Sequence, residues 1–159
     1  MSSRWADIAF VPDAALATKI TAAWQWLMPG QWTPFLCSMI GGIFLEEESG
    51  VYWLESGTGL VERVASDAGE FESVVHEDDD KFEEWFLPGL VEALHEAGKH
   101  PGPGECYAFL ILPVFEEGKY EVENLEVRPA VVQLVGTATI HEQIGDVPDG
   151  FKVEIKVVD

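Results

Sequence analysis

Cys106 and His141 are the two residues whose types suit nucleophilic catalysis, a thiol to attack and an imidazole to take its proton. Cys106, however, opens the apolar run CYAFLILPV with no activating motif beside it. A cysteine in that setting is expected to pack as a small hydrophobe, and a Cys-His hydrolase is the least favoured reading. His95 and His100 stand five residues apart across a predicted helix end, whereas two ligands on one helical face want a spacing of three or four. A protonated histidine there is expected to face the helix dipole. Cys37 and Cys106 are the chain's two cysteines and form no zinc pattern with a histidine pair.

The stretch HEDDDKFEEW, His76 to Trp85, offers carboxylates to a divalent cation. It lacks the alternating aspartates and the glycine of an EF-hand loop, so a helix cap and first turn are expected. GPGE and GTGL precede neither a helix nor a Lys-Ser/Thr pair, which excludes a phosphate loop. No catalytic, cofactor-binding or metal residue is expected, and no cofactor.

The elements around these residues follow from hydrophobic spacing. Pro12-Asp13 opens a helical pattern through Leu16, Ile20, Ala23, Trp24 and Leu27, closed by Pro29-Gly30. A loop should then lead to three strands, Ile43 to Glu47, Val51 to Glu55 and Leu60 to Ala65, in a sheet covered on most of its area. Ser66 is the expected N-cap of a short helix through Phe71, Val74 and Val75, and Asp80 that of a second. Pro88 must kink the second helix or start a new segment. Cys106 to Val114 reads as a buried strand, and Tyr120 to Val127 as extended chain. Val131, Leu134, Val135 and Ala138 have helical spacing after Pro129, with a strand as the alternative. VPDG is a turn, and FKVEIKVV alternates as a final strand. The expected fold class is α+β, a mostly antiparallel sheet packed with several helices in a single domain. The expected organisation is an N-terminal helical segment over 1–33 followed by a main region over 34–156.

Charge is the outlier. The chain carries 29 Asp plus Glu against 9 Lys plus Arg, a formal net of −20. In the first 45 residues Arg4 and Lys19 cancel Asp7 and Asp13, so the excess lies from Glu46 onward. Such a surface repels nucleic acid and anionic membrane and steers basic partners inward. The apolar window Trp24 to Leu45 is broken by Gln25, Pro29, Gln31 and Pro34 and does not read as a membrane span. MSSRWADIAF shows no basic segment followed by an apolar one, so a cytoplasmic protein with reduced thiols is expected.

Glu105, Cys106, Tyr107, Phe109, Pro113, Gly118, Tyr120 and Asn124 stand in an order that resembles the DUF1851 family, also described as the C-terminal domain of the type VI secretion immunity protein Tdi1. His141, Gln143, Pro148 and Gly150 continue the resemblance, with Val147 in place of a leucine, and GGIFLEEESGVYWLESGTGLVERVA is similar to the family's upstream strand-turn-strand. Departures are Glu117-Gly118 where the family has a double glycine, and Ala138-Thr139 where it has Gly-Gln. The resemblance spans roughly residues 34 to 156. It implies a cytoplasmic, non-enzymatic bacterial protein that binds and blocks a toxin effector, in the best-described case a DNase, with distant kinship to SUKH-type proteins.

The lead expectation is an immunity-type inhibitor of a basic toxin. The acidic runs are its candidate contacts: Glu46, Glu47 and Glu48; Glu77, Asp78, Asp79 and Asp80; and the turn residues Glu116 and Glu117. The alternative from another class is a small-ligand or regulatory binding module, with a pocket lined by some of the six tryptophans.

Overall fold

The computed structural model describes residues 5–145. Its centre is a five-stranded antiparallel sheet in sequence order: β1 (Ala9–Phe10), β2 (Thr33–Ser38), β3 (Gly42–Glu47), β4 (Gly50–Glu55) and β5 (Leu60–Ala65). A smaller antiparallel sheet pairs β6 (Glu105–Phe109) with β7 (Leu125–Pro129). The helices are α1 (Trp5–Ile8), α2 (Ala14–Ala23), α3 (Ala68–Glu77), α4 (Asp79–Phe86), α5 (Pro88–Glu96), α6 (Ala130–Leu134) and α7 (Gly136–Ile144). This is the expected α+β class. The VPDG turn and the final strand, with Pro148 and Gly150, lie outside the described residues.

Strand alternation explains why the sheet carries apolar side chains on both faces. On β3, Phe44 points one way and Ile43 and Leu45 the other, and all three are fully buried. Phe44 meets Phe71 of α3 at 4.8 Å between ring centroids, and Trp85 and Phe86 of α4 at 5.5 and 5.4 Å. This aromatic cluster fixes α3 and α4 against the sheet, each fully buried aromatic contributing about 1.5–3 kcal/mol through area removed from water. A separate contact ties the N-terminal helix to the C-terminal part: Trp24 Nε1 donates to the Leu134 carbonyl at 2.8 Å. The two sheets are joined where Tyr107 N donates to the Met39 carbonyl at 2.9 Å.

Several local expectations are corrected. The loop before β3 contains β2, whose Thr33 and Pro34 pair with Glu46 and Leu45; a proline in the run hid it. Helix α2 stops at Ala23, well before Pro29, with Trp24 closing it by donating its N–H to the Ile20 carbonyl. The cap of α3 is Asp67, not Ser66: Asp67 Oδ1 accepts from Glu70 N at 2.8 Å, and Glu70 Oε1 accepts from Ser66 N at 2.8 Å. The cap of α4 is Asp78, not Asp80, accepting from Lys81 N at 3.1 Å. At Pro88 the second of the two expected outcomes holds: it begins a new helix as its first residue, after Leu87 turns the chain with a left-handed φ of 47°. The strand expected through Val114 ends at Phe109, and Leu110 and Ile111 are exposed. The extended segment from Tyr120 contains a 3-10 turn over Val122–Asn124 before β7 begins. The single helix expected after Pro129 is two, α6 and α7, which meet at Val135.

Candidate functional site

The residues of the ordered Cys-Tyr, Pro, Gly and Asn pattern turn out to build a scaffold. Glu105 Oε1 accepts from Gly102 N at 2.8 Å and closes the loop before β6. Tyr107 is fully buried and its hydroxyl donates to the Lys99 carbonyl at 2.6 Å. Lys99 in turn donates through Nζ to the Val122 and Leu125 carbonyls at 2.9 and 2.8 Å and faces Glu126 at 3.2 Å. Asn124 holds the loop after β6 by hydrogen bonds to Ile111 and Lys119. A Cβ on Gly118 would fall 2.0 Å from the Leu112 carbonyl oxygen, so only glycine fits where the loop folds back on itself.

Cys106 is fully buried, and its Sγ lies 3.5 Å from the Tyr107 carbonyl. Burial pushes its thiol up to about 12, which holds it protonated and unreactive at neutral pH. Cys37 is raised further, by burial first and then by the nearby Cys106, and both cysteines are free thiols. His141 is engaged elsewhere. Its Nε2 lies 2.7 Å from the Ser56 carbonyl, the same residue whose Oγ accepts from Gln133 Nε2 at 2.9 Å and donates to the Gly41 carbonyl at 2.6 Å. Gln133 Oε1 also accepts from Phe109 N at 3.1 Å. This buried polar knot ties α6 and α7 to both sheets. Burial lowers the His141 pKa, partly opposed by its bond to the Ser56 carbonyl. The rings of His95 and His100 stand 4.7 Å apart, and among the described residues no group of three or more potential ligands forms a metal cluster.

The acidic runs occupy separate elements. Glu46 and Glu47 end β3 and Glu48 sits in its turn, where Glu47 Oε1 accepts from Ser49 N and Oγ. Glu77 ends α3, Asp78 caps α4, and Asp79 and Asp80 fill its first turn, where negative charge suits the helix dipole. Glu116 and Glu117 are exposed in the loop after β6. Of the nine, Glu47 alone is partly covered and the rest are exposed.

A cavity of about 380 Å³ lies between the sheet and α4. Ser38, Ile40, Gly42, Trp53 and Trp85 are its buried members; Leu60, Glu62 and Glu84 are exposed at its mouth. Glu55 reaches into it from the end of β4 and accepts a hydrogen bond from Tyr120, another lining residue. The Glu55 carboxyl is raised by burial first, against an opposing bond from Thr58, and then by the negative charge of Glu84. Trp53 and Trp85 are 6% and 3% exposed, and neither indole N–H has a hydrogen-bond partner among the described residues. Sequence reasoning named a tryptophan-lined pocket only in general terms. Trp53-x-Glu55 and Glu84-Trp85 were the signal, but their convergence needs the β3–β4 pairing and the packing of α4 on Phe44.

These features define an α+β protein whose described residues contain no helix long and apolar enough to cross a membrane. Residues 65–135, just under half of the chain, match the family described as T6SS immunity protein Tdi1, C-terminal. The matched span is Tdi1-like and runs from the end of β5 to the end of α6, including β6, Gly118 and Asn124. It is narrower than the resemblance read from the sequence, leaving out β3, β4 and His141. No curated protein matches the chain.

Proposed function

We propose that this chain is a non-enzymatic immunity-type protein that binds and neutralises a basic, nuclease-like toxin effector in the bacterial cytoplasm. The observation that carries this is the match of residues 65–135 to a family of type VI secretion immunity proteins. The charge supports it: a nuclease must present lysine and arginine to phosphate, and a protein of net −20 competes for that surface and accelerates encounter. The same charge disfavours nucleic acid or anionic membrane as partners. Glu46 to Glu48, Glu77 to Asp80, and Glu116 with Glu117 are the proposed contacts.

The test is binding to a toxin encoded beside the gene, measured with purified proteins. Reversing Glu116 and Glu117 to lysine should slow association about ten-fold at low salt, with a smaller effect at high salt. Absence of binding to any such neighbour would remove the immunity reading. A small-ligand module remains the second reading, favoured by the cavity beside Trp53 and Trp85.

A further inference from the structure

The cavity between β4, β5 and α4 has a chemistry that narrows what it accepts. Three carboxylates, Glu55, Glu62 and Glu84, line it, and among the described residues no lysine or arginine does. Lys81 reaches Glu84 at 3.6 Å, but both side chains are about half exposed, and such a surface pair is weak and readily exchanged. Glu55 is mostly buried beside Glu84, an arrangement that disfavours its charge until a cation arrives. The wall behind the carboxylates is aromatic: Trp53 stacks on Phe44 at 6.5 Å, and Trp85 stacks on Phe71 at 5.6 Å.

The floor points the same way. The Trp53 and Trp85 indoles are buried donors lacking acceptors among the described residues. A Cβ on Gly42 would come within 2.9 Å of both Trp53 Nε1 and Ser38 Oγ, so the absent side chain keeps space open beside this donor. A cationic head suits the carboxylates and the indole faces, and an acceptor on the same molecule suits the indole N–H groups. A residue of a peptide chain with a basic side chain and backbone carbonyls carries both.

Resting on the immunity reading, we propose that this cavity is a socket for an arginine or lysine side chain presented by the toxin, held between the Trp53–Trp85 wall and Glu55, Glu62 and Glu84. The exposed mouth at Leu60, Glu62 and Glu84 admits a side chain from a macromolecular surface, and the net charge of −20 matches a basic occupant. The socket also joins the Tdi1-like span, through Glu84, Trp85, Leu87 and Tyr120, to strands outside it.

The experiment uses the full chain and the indole N–H signals in its nitrogen-edited NMR spectrum, assigned with Trp53→Phe and Trp85→Phe. Capped arginine amide is titrated against capped citrulline amide, which has nearly the same shape without the charge. The expected result is a saturable shift of the Trp53 and Trp85 signals by arginine, about ten-fold weaker with citrulline, and lost in Glu62→Gln/Glu84→Gln. Equal binding of the two, or no saturable shift, overturns the socket. The second arm measures toxin binding by the same double variant, whose changes lie at the exposed mouth. A loss of ten-fold or more is expected; unchanged affinity overturns the assignment. A wild-type chain that binds capped arginine but no toxin overturns the toxin side chain as occupant and the immunity reading together, while leaving the cation preference measured. A chain that binds toxin but not capped arginine overturns the socket alone.

Discussion

Asn124 and Ile111 exchange two hydrogen bonds: Ile111 N–H donates to Oδ1 at 2.9 Å, and Asn124 Nδ2 donates to the Ile111 carbonyl at 2.8 Å. The side-chain amide thus imitates a paired strand residue just where β6 ends. A further bond from Nδ2 to the Lys119 carbonyl at 2.9 Å pulls in the far side of the loop. Asn124→Ala should therefore cost about 1–3 kcal/mol in a denaturant titration, and amide exchange should speed up over Leu110 to Lys119 first. Asn124→Asp should cost more than Asn124→Ala, because it sets an acceptor against two carbonyls.

Gly118 carries the tightest steric demand in the same loop. Gly118→Ala sets a methyl group against the Leu112 backbone, which must move as a unit, and should lower stability by about 1–3 kcal/mol. Gly89, with open space around its missing Cβ, is the control: Gly89→Ala in α5 should be neutral or slightly stabilising in the same melts.

His141 links stability to mild acid. Its folded pKa lies below the ordinary 6.5, so the unfolded chain binds the proton more readily. Its contribution is complete above about pH 6.5 and declines as pH falls through the folded value. Urea midpoints at pH 7.5 and pH 5 should show this loss in the wild type and not in His141→Gln, with every other titrating group common to both proteins.

Glu55 runs in the opposite sense. Its folded pKa is raised, so its ionisation costs stability, and the cost grows as pH rises from the unfolded value of about 4.3 through the folded one. Glu55→Gln keeps an acceptor for Tyr120 and should raise the melting temperature at pH 7. At about pH 3.5, where the wild-type carboxyl is protonated in both states, the difference should vanish.

The strands β3, β4 and β5 were legible because Ser49-Gly50 and the Ser56 to Gly59 turn punctuate alternating apolar runs. β2 was not, because Pro34 argues against a strand until its pairing with Leu45 is known. The run after Cys106 read as one strand because apolarity does not say whether a residue is covered. Leu110 and Ile111 are as apolar as Phe109 but lie outside the ladder, and the residue that ends it, Asn124, is thirteen positions beyond Ile111. A still wider separation in sequence hid the cavity, whose walls come from Ser38 to Tyr120. The acidic runs were visible as charge, and part of that charge serves the helix ends at Asp78, Asp79 and Asp80.

Both native thiols are sealed: Cys37 and Cys106 are 0% exposed and held protonated by burial. The folded chain is thus silent to maleimide without any substitution. A cysteine placed at an exposed position such as Glu117 would be the sole reactive handle, so dyes, spin labels or crosslinkers could be attached one site at a time to trace where a toxin shields the surface. Ellman titration of the native Glu117→Cys protein should count one thiol, and three after denaturation.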